Sequence, residues 1–160
     1  MRLSVIAVGR LKAGPEKALA DDYRTRAEGL GRKAGISRLS VVEFAESQAA
    51  TATSRIADEA KLIAAAVPPK AFAVVLDERG KTMSSAALAG LIQRHIDGGT
   101  QDLVFVIGGP DGLAQTTRES AGLLLSFGAM TWPHRLVRVM LFEQIYRTVT
   151  IMVNHPYHRP

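Results

Sequence analysis

The chain has no cysteine among its 160 residues, which excludes a disulfide framework, thiolate catalysis and cysteine-rich zinc sites, and agrees with a reducing compartment. It also lacks any apolar run near the ~20 residues of a membrane span, and the opening MRLSVIAVGRLK is too soon interrupted to be a signal peptide. A soluble cytoplasmic protein that contacts no membrane is therefore expected. No GxxxxGK phosphate loop is present and IGGPDG does not match GxGxxG, so neither a nucleoside triphosphatase nor a standard dinucleotide fold is supported. Histidines 134, 155 and 158 have no carboxylate close in sequence, and Pro156-Tyr157 splits the last two; no metal is expected.

What is present fits one domain, 1–160, large enough to bury a core unaided. Its organising stretch is Leu103 to Leu113, LVFVIGGPDGL: a short β-branched, apolar run that stops on two glycines, a proline and an Asp-Gly turn. Such a run reads as a buried strand of a parallel sheet whose carboxyl end enters a glycine loop, where ligands bind in open α/β sheets. A tight turn holding nothing fits the stretch equally well.

The remaining elements alternate. Leu3–Val8 and Leu39–Phe44 read as strands, as does Phe72–Leu76, followed by a charged turn Asp77-Glu78-Arg79-Gly80. Helices are expected from Pro15, from about Ile56 until Pro68-Pro69, from Ser84 or Ser85 until Gly98, loosely over 114–127, and from about Val137 to Met152. AMTWP, 129–133, is the expected fifth strand. The fold class is α/β, a mostly parallel sheet of five or six strands with helices on both faces. The last helix is apolar over a long stretch, which suits a dimer interface or a buried core helix alike. Glu143 and Arg147 are placed to pair on its exposed side.

Net charge is +5, split as +5 over residues 1–40, −3 over 41–133 and +3 over 134–160. Basic ends folded together would make one positive face for a phosphate backbone, with Lys17, Arg24 and Arg26 on the first helix; scattered surface charges are the plainer reading. Arg135 and Arg138 stand at a helix start against the dipole, a hint of an anionic partner. The tail Asn154-His155-Pro156-Tyr157-His158-Arg159 gathers two imidazoles, a phenol and a guanidinium, which together offer a proton acceptor, a stacking ring and a phosphate clamp.

IGGPDGL, TWPHRLVRVMLFEQIYR and the terminal NHPYHR, in that order, resemble the ribosomal RNA large subunit methyltransferase H family of the SPOUT superfamily. The resemblance spans the whole chain. It implies an S-adenosylmethionine-dependent enzyme, a homodimer, that methylates N3 of a pseudouridine in helix 69 of 23S ribosomal RNA within the 70S ribosome. It also implies a carboxyl-terminal trefoil knot, which chain physics would not suggest. By position, the methyl donor is expected against Leu76, Gly108 and Gly109, and against Gly128, Ala129, Met130, Thr131, Trp132 and Pro133. Trp132 stands where an aliphatic residue is common in relatives. For catalysis, Tyr157 and His158 are expected to orient the base, His155 or His158 to accept its proton, and Arg138 and Arg159 to meet phosphates or the developing anion.

Overall fold

A computed structural model describes residues 1–159. Five parallel strands, β1 (Arg2–Val8), β2 (Arg38–Phe44), β3 (Phe72–Thr82), β4 (Asp102–Ile107) and β5 (Leu123–Ser126), form one sheet in the order β2-β1-β4-β3-β5. Between and after them come α1 (Pro15–Gly31), α2 (Ala52–Ala66), α3 (Ser85–Asp97), the short α4 (Gln115–Glu119) and α5 (His134–Met152).

Strand alternation builds two cores. Leu3, Val5 and Ala7 of β1, with Leu103, Phe105 and Ile107 of β4, face one side and pack with residues of α1, α3 and α5. Ile6, Val8, Val104 and Val106 face the other and pack with Ile63 of α2. Successive residues of a strand point to opposite faces, so an unbroken apolar run is what a sheet covered on both sides demands. At the amino edge, the Arg2 guanidinium makes two bonds of 2.7 and 2.6 Å to the Asp102 carboxylate, tying β1 to β4.

Helix starts follow local chemistry. Pro15 sits at the first position of α1. The Thr51 hydroxyl accepts from the Ser54 N–H at 3.1 Å, and the Ser84 hydroxyl from the Ala87 N–H at 3.1 Å, capping α2 and α3. Among the described residues, no helix is long and apolar enough to cross a membrane.

Three expectations are corrected. The fifth strand is Leu123–Ser126, and 129–133 is loop. Leu123, Leu124 and Leu125 pair with Val74, Val75 and Leu76, where a continuous apolar triplet is satisfied on both faces. The segment 114–127 consequently yields only the five-residue α4, and Gly122, pressed against the Phe72 ring, passes the chain into β5 while its N–H donates to the Ala73 carbonyl at 2.9 Å. Finally, β3 does not end at Leu76. A shift of register between Leu76 and Lys81 carries the charged turn as an irregularity within the strand, and pairing resumes opposite Leu125 and Ser126.

Candidate active site

The carboxyl ends of β3, β4 and β5 open into a cleft of about 550 Å³. Its walls include Leu76, Ile107, Leu125, the loop 108–113 and much of 126–134. Of the positions expected to meet a methyl donor, Leu76, Gly108, Gly109, Gly128, Met130, Thr131 and Trp132 line this cleft. Ala129 and Pro133 belong to the same loop without lining it; the Pro133 carbonyl instead accepts from the Leu136 N–H at 2.9 Å and starts α5.

Close packing requires Gly108 and Gly109, and a φ of 90° favours glycine at Gly112. A Cβ on Gly108 would lie 2.7 Å from Cγ of Leu113, and one on Gly109 would lie 2.7 Å from Oε2 of Glu59. The loop closes on itself, with the Gly112 N–H donating to the Gly109 carbonyl at 3.0 Å. Asp111 anchors its tip through two bonds from Arg55 of α2, at 2.6 and 3.1 Å. These bonds hold the Asp111 carboxyl below the usual carboxylate range and raise the Arg55 guanidinium.

Glu59 lies under the loop with 3% of its surface exposed, and its Oε1 accepts from the Ser47 N–H at 3.0 Å. Burial pushes its carboxyl above the ordinary glutamate value, against the lowering effect of the Ser47 bond. On the opposite wall, Gly128 takes φ 115°, and the Ser126 hydroxyl bridges the Gly128 N–H and C=O at 3.1 and 3.0 Å. Met130 and Trp132 remain exposed.

Several cleft residues escape sequence reasoning. Ile56, Asp77, Arg118 and His134 all line it. Asp77 reads in the sequence only as part of a turn, yet it follows Leu76 directly and receives the Arg79 N–H at 2.9 Å, with Arg118 Nη1 3.9 Å away. The rule that places Gly108 at a strand end applies to it equally. Glu59 carries a signal too: it stands between Ile56 and Ile63 on the buried stripe of α2, where an acid is out of pattern.

The tail lies elsewhere. Residues 153–159 do not line the cleft of their own chain. After Asn154, in the left-handed region at φ 53°, the His155 N–H donates to the Thr150 carbonyl at 2.8 Å and the chain turns back along α5. The Tyr157 hydroxyl donates to Glu143 Oε1 at 3.0 Å, its ring meets Tyr146 at 4.6 Å, and the Arg147 guanidinium sits 4.9 Å above it. Burial first, then hydrogen bonding with Tyr23 and Glu143, pushes the Tyr157 phenol far above its ordinary value. Glu143 and Arg147 do pair, as expected, but half-buried beneath the tail and not on an exposed side. His158 has a buried Nδ1 without a partner, and Arg159 is exposed.

Arg138 is not grouped with the tail. Only 1% exposed, it donates to Glu43 and, from Nη2, to the Gly9 carbonyl at 2.7 Å, locking the start of α5 to the ends of β1 and β2. Both terminal nitrogens of the guanidinium are thus held by the protein, and its Nε alone is left without a partner. Arg135 is exposed. Among the described residues, no three His, Cys, Asp or Glu side chains gather as a cation site.

The family model described as "Predicted SPOUT methyltransferase" matches residues 1–158. The chain is 55% identical over 159 residues to the ribosomal RNA large subunit methyltransferase H of Bradyrhizobium sp. strain BTAi1, covering 99% of each chain. It is likewise 55% identical to the protein of that name from Rhodopseudomonas palustris strain HaA2, again over 99% of both. Among solved structures, the SpoU methyltransferase AviRb of Streptomyces viridochromogenes, in complex with AdoMet, matches 95% of this chain and 58% of its own with TM-score 0.43 and 13% identity. From the full-length family match and the close relatives, the chain belongs to the SPOUT methyltransferases, within the ribosomal RNA large subunit methyltransferase H family.

Proposed function

We propose that this protein transfers a methyl group from S-adenosylmethionine to N3 of a pseudouridine in helix 69 of 23S ribosomal RNA, acting as a homodimer on the 70S ribosome in the cytoplasm. The observation that carries the reading is the cleft itself: two loops, one with close-packed Gly108 and Gly109 and one turning at Gly128, at the carboxyl ends of three parallel strands, enclose a volume of about 550 Å³, within the roughly 300–1,000 Å³ of small-molecule sites. Full-length relatives named for this RNA class support the substrate.

The residues fit the methyl donor. Bare backbone at Gly108 and Gly109 lets a bent ligand approach, and Leu76, Leu125 and Trp132 give apolar and aromatic surface for a purine. When bound, S-adenosylmethionine supplies a sulfonium methyl. The protein's part is to hold the imide N3 in line with that methyl and to take up its proton. His155 or His158 serves as acceptor, Tyr157 and His158 orient the base, and Arg159 meets phosphate or the developing anion. Arg138 acts through position, fixing the 128–134 loop through the start of α5.

Because residues 153–159 do not line the cleft of their own chain, the tail completes the site of a second copy. Met130, Trp132 and Leu136, exposed together around the start of α5, suit such a pairing. Calorimetry with S-adenosylmethionine should show one site per chain. Mass mapping of large-subunit RNA should show one methylpseudouridine lost on gene deletion and restored by the wild-type chain. No binding of the donor would sink the enzyme reading, and a loss mapped to transfer RNA would move the substrate.

A further inference from the structure

A second cavity, of about 350 Å³, lies where α1, the end of β2 and the start of α5 meet. Four cationic side chains, Arg10, Lys17, Arg24 and Arg138, surround it with only two carboxylates, Asp21 and Glu43. Those carboxylates are shared: Lys17 pairs with Asp21, Arg24 stands 3.9 Å from it, and Arg138 pairs with Glu43. Arg10 makes no ion pair among the described residues and is exposed.

An independent observation points to a missing acceptor. The Nε atoms of Arg24 and Arg138 are both buried without a hydrogen-bond partner, although Arg24 Nε passes 3.6 Å from Glu28. Arg138 is 1% exposed, and burial lowers the affinity of its guanidinium for its proton. Buried donors left open are costly and ask for an anion or a water. Both line one cavity whose cations outnumber its acids.

The cavity also has the right neighbour. Arg10 follows Gly9 directly, and His134 of the active-site cleft sits beside Gly9. A polynucleotide lying over the carboxyl edge of the sheet passes from one to the other.

We propose that this cavity is a phosphodiester subsite that grips the ribosomal RNA backbone beside the target base. The identity of the RNA rests on the function proposed above; the anion site rests on the cavity alone. Phosphate oxygens accept charge-assisted bonds from Arg10, Lys17 and the open Nε groups.

The test is binding of the full-length protein to 70S ribosomes over a salt series. Arg10→Gln disturbs no ion pair and Lys17→Gln removes one exposed pair, so both should fold. Each is expected to weaken binding about three- to tenfold and to reduce the salt slope by about one for each phosphate no longer neutralised. Lys70→Gln, at the opposite edge of the sheet, should change neither. Affinity for S-adenosylmethionine, read by calorimetry, should be unaltered in all three. Wild-type affinity and slope in both cavity variants would overturn the subsite, with the open donors then assigned to water. Failure of the wild-type chain to bind S-adenosylmethionine, with the slopes changed as expected, would overturn the reaction and leave the subsite standing.

Discussion

Oε2 of Glu59 occupies the space that a side chain at Gly109 would need: a Cβ there would lie 2.7 Å from it, with Cγ1 of Val8 at 3.0 Å. A buried acid and a bare backbone thus share one position beneath the cleft, so a side chain at Gly109 displaces Glu59.

Gly109→Ala forces Glu59 or the loop to move. Overpacking of this kind costs about 1–3 kcal/mol in stability. Because the displaced backbone is a cleft wall, S-adenosylmethionine should bind at least about tenfold more weakly, or ~1.4 kcal/mol. Calorimetry on the folded variant measures this. Unchanged affinity would mean that the loop does not touch the donor.

Glu59 gives the protein a pH dependence of definite sign. Its carboxyl is raised by burial, so between the ordinary glutamate value and the raised one the folded chain binds more protons than the unfolded chain. Stability from this group is full below the unfolded value and falls as pH rises through that window. Glu59→Gln removes the change. Urea midpoints of wild type and variant, compared from acid to neutral pH, should converge at the acid end and separate toward neutrality, with the variant the more stable there.

The Arg138–Glu43 pair is buried at one end and half-open at the other. Glu43→Gln keeps an acceptor oxygen for the guanidinium but removes its countercharge and should cost about 3 kcal/mol, since an uncompensated buried charge is the expensive state. Arg138→Met together with Glu43→Leu should recover much of that loss. If the double variant is no better than the single one, the pair contributes geometry that apolar packing does not replace. Denaturant midpoints decide it.

Much of the fold is legible in the sequence because short-range rules and sheet burial agree. The strands β1, β2 and β4, the cap of α3 and the proline start of α1 all follow from local pattern. The stretch from 114 to 133 misleads, because Leu123 to Leu125 fit a buried strand or a buried helix equally; only pairing with β3 decides between them. Arg138 misleads for a related reason. At a helix start it resembles an anion ligand, and its partners Glu43 and Gly9 lie about a hundred residues away in sequence. Glu59 is visible as an acid on an apolar stripe, but nothing in the sequence ties it to the glycine loop it supports. The location of the tail against Tyr146 and Arg147 depends on tertiary packing that no spacing encodes.

Tyr157 and Gly109 should complement across a dimer. Tyr157→Phe removes the bond to Glu143 and should lower methyl transfer while leaving donor binding intact. Mixing it with Gly109→Ala, each alone nearly inactive, should restore up to about a quarter of the sites, since random pairing makes half the dimers mixed and each mixed dimer has one intact site. No recovery on mixing would place the tail's action within its own chain.

Trp132 is the only tryptophan in the chain and stands in the cleft wall at 38% exposure. A purine packed against the 126–134 loop changes the polarity around its indole, so S-adenosylmethionine should shift or quench the intrinsic fluorescence saturably, with the same midpoint that calorimetry gives. Trp132→Leu should abolish the signal while keeping affinity within about threefold, because a leucine supplies apolar surface while the backbone contacts persist. A loss beyond about tenfold (~1.4 kcal/mol) would instead make the indole a principal contact of the donor. A saturable calorimetric signal with no change in fluorescence would place the donor away from this loop.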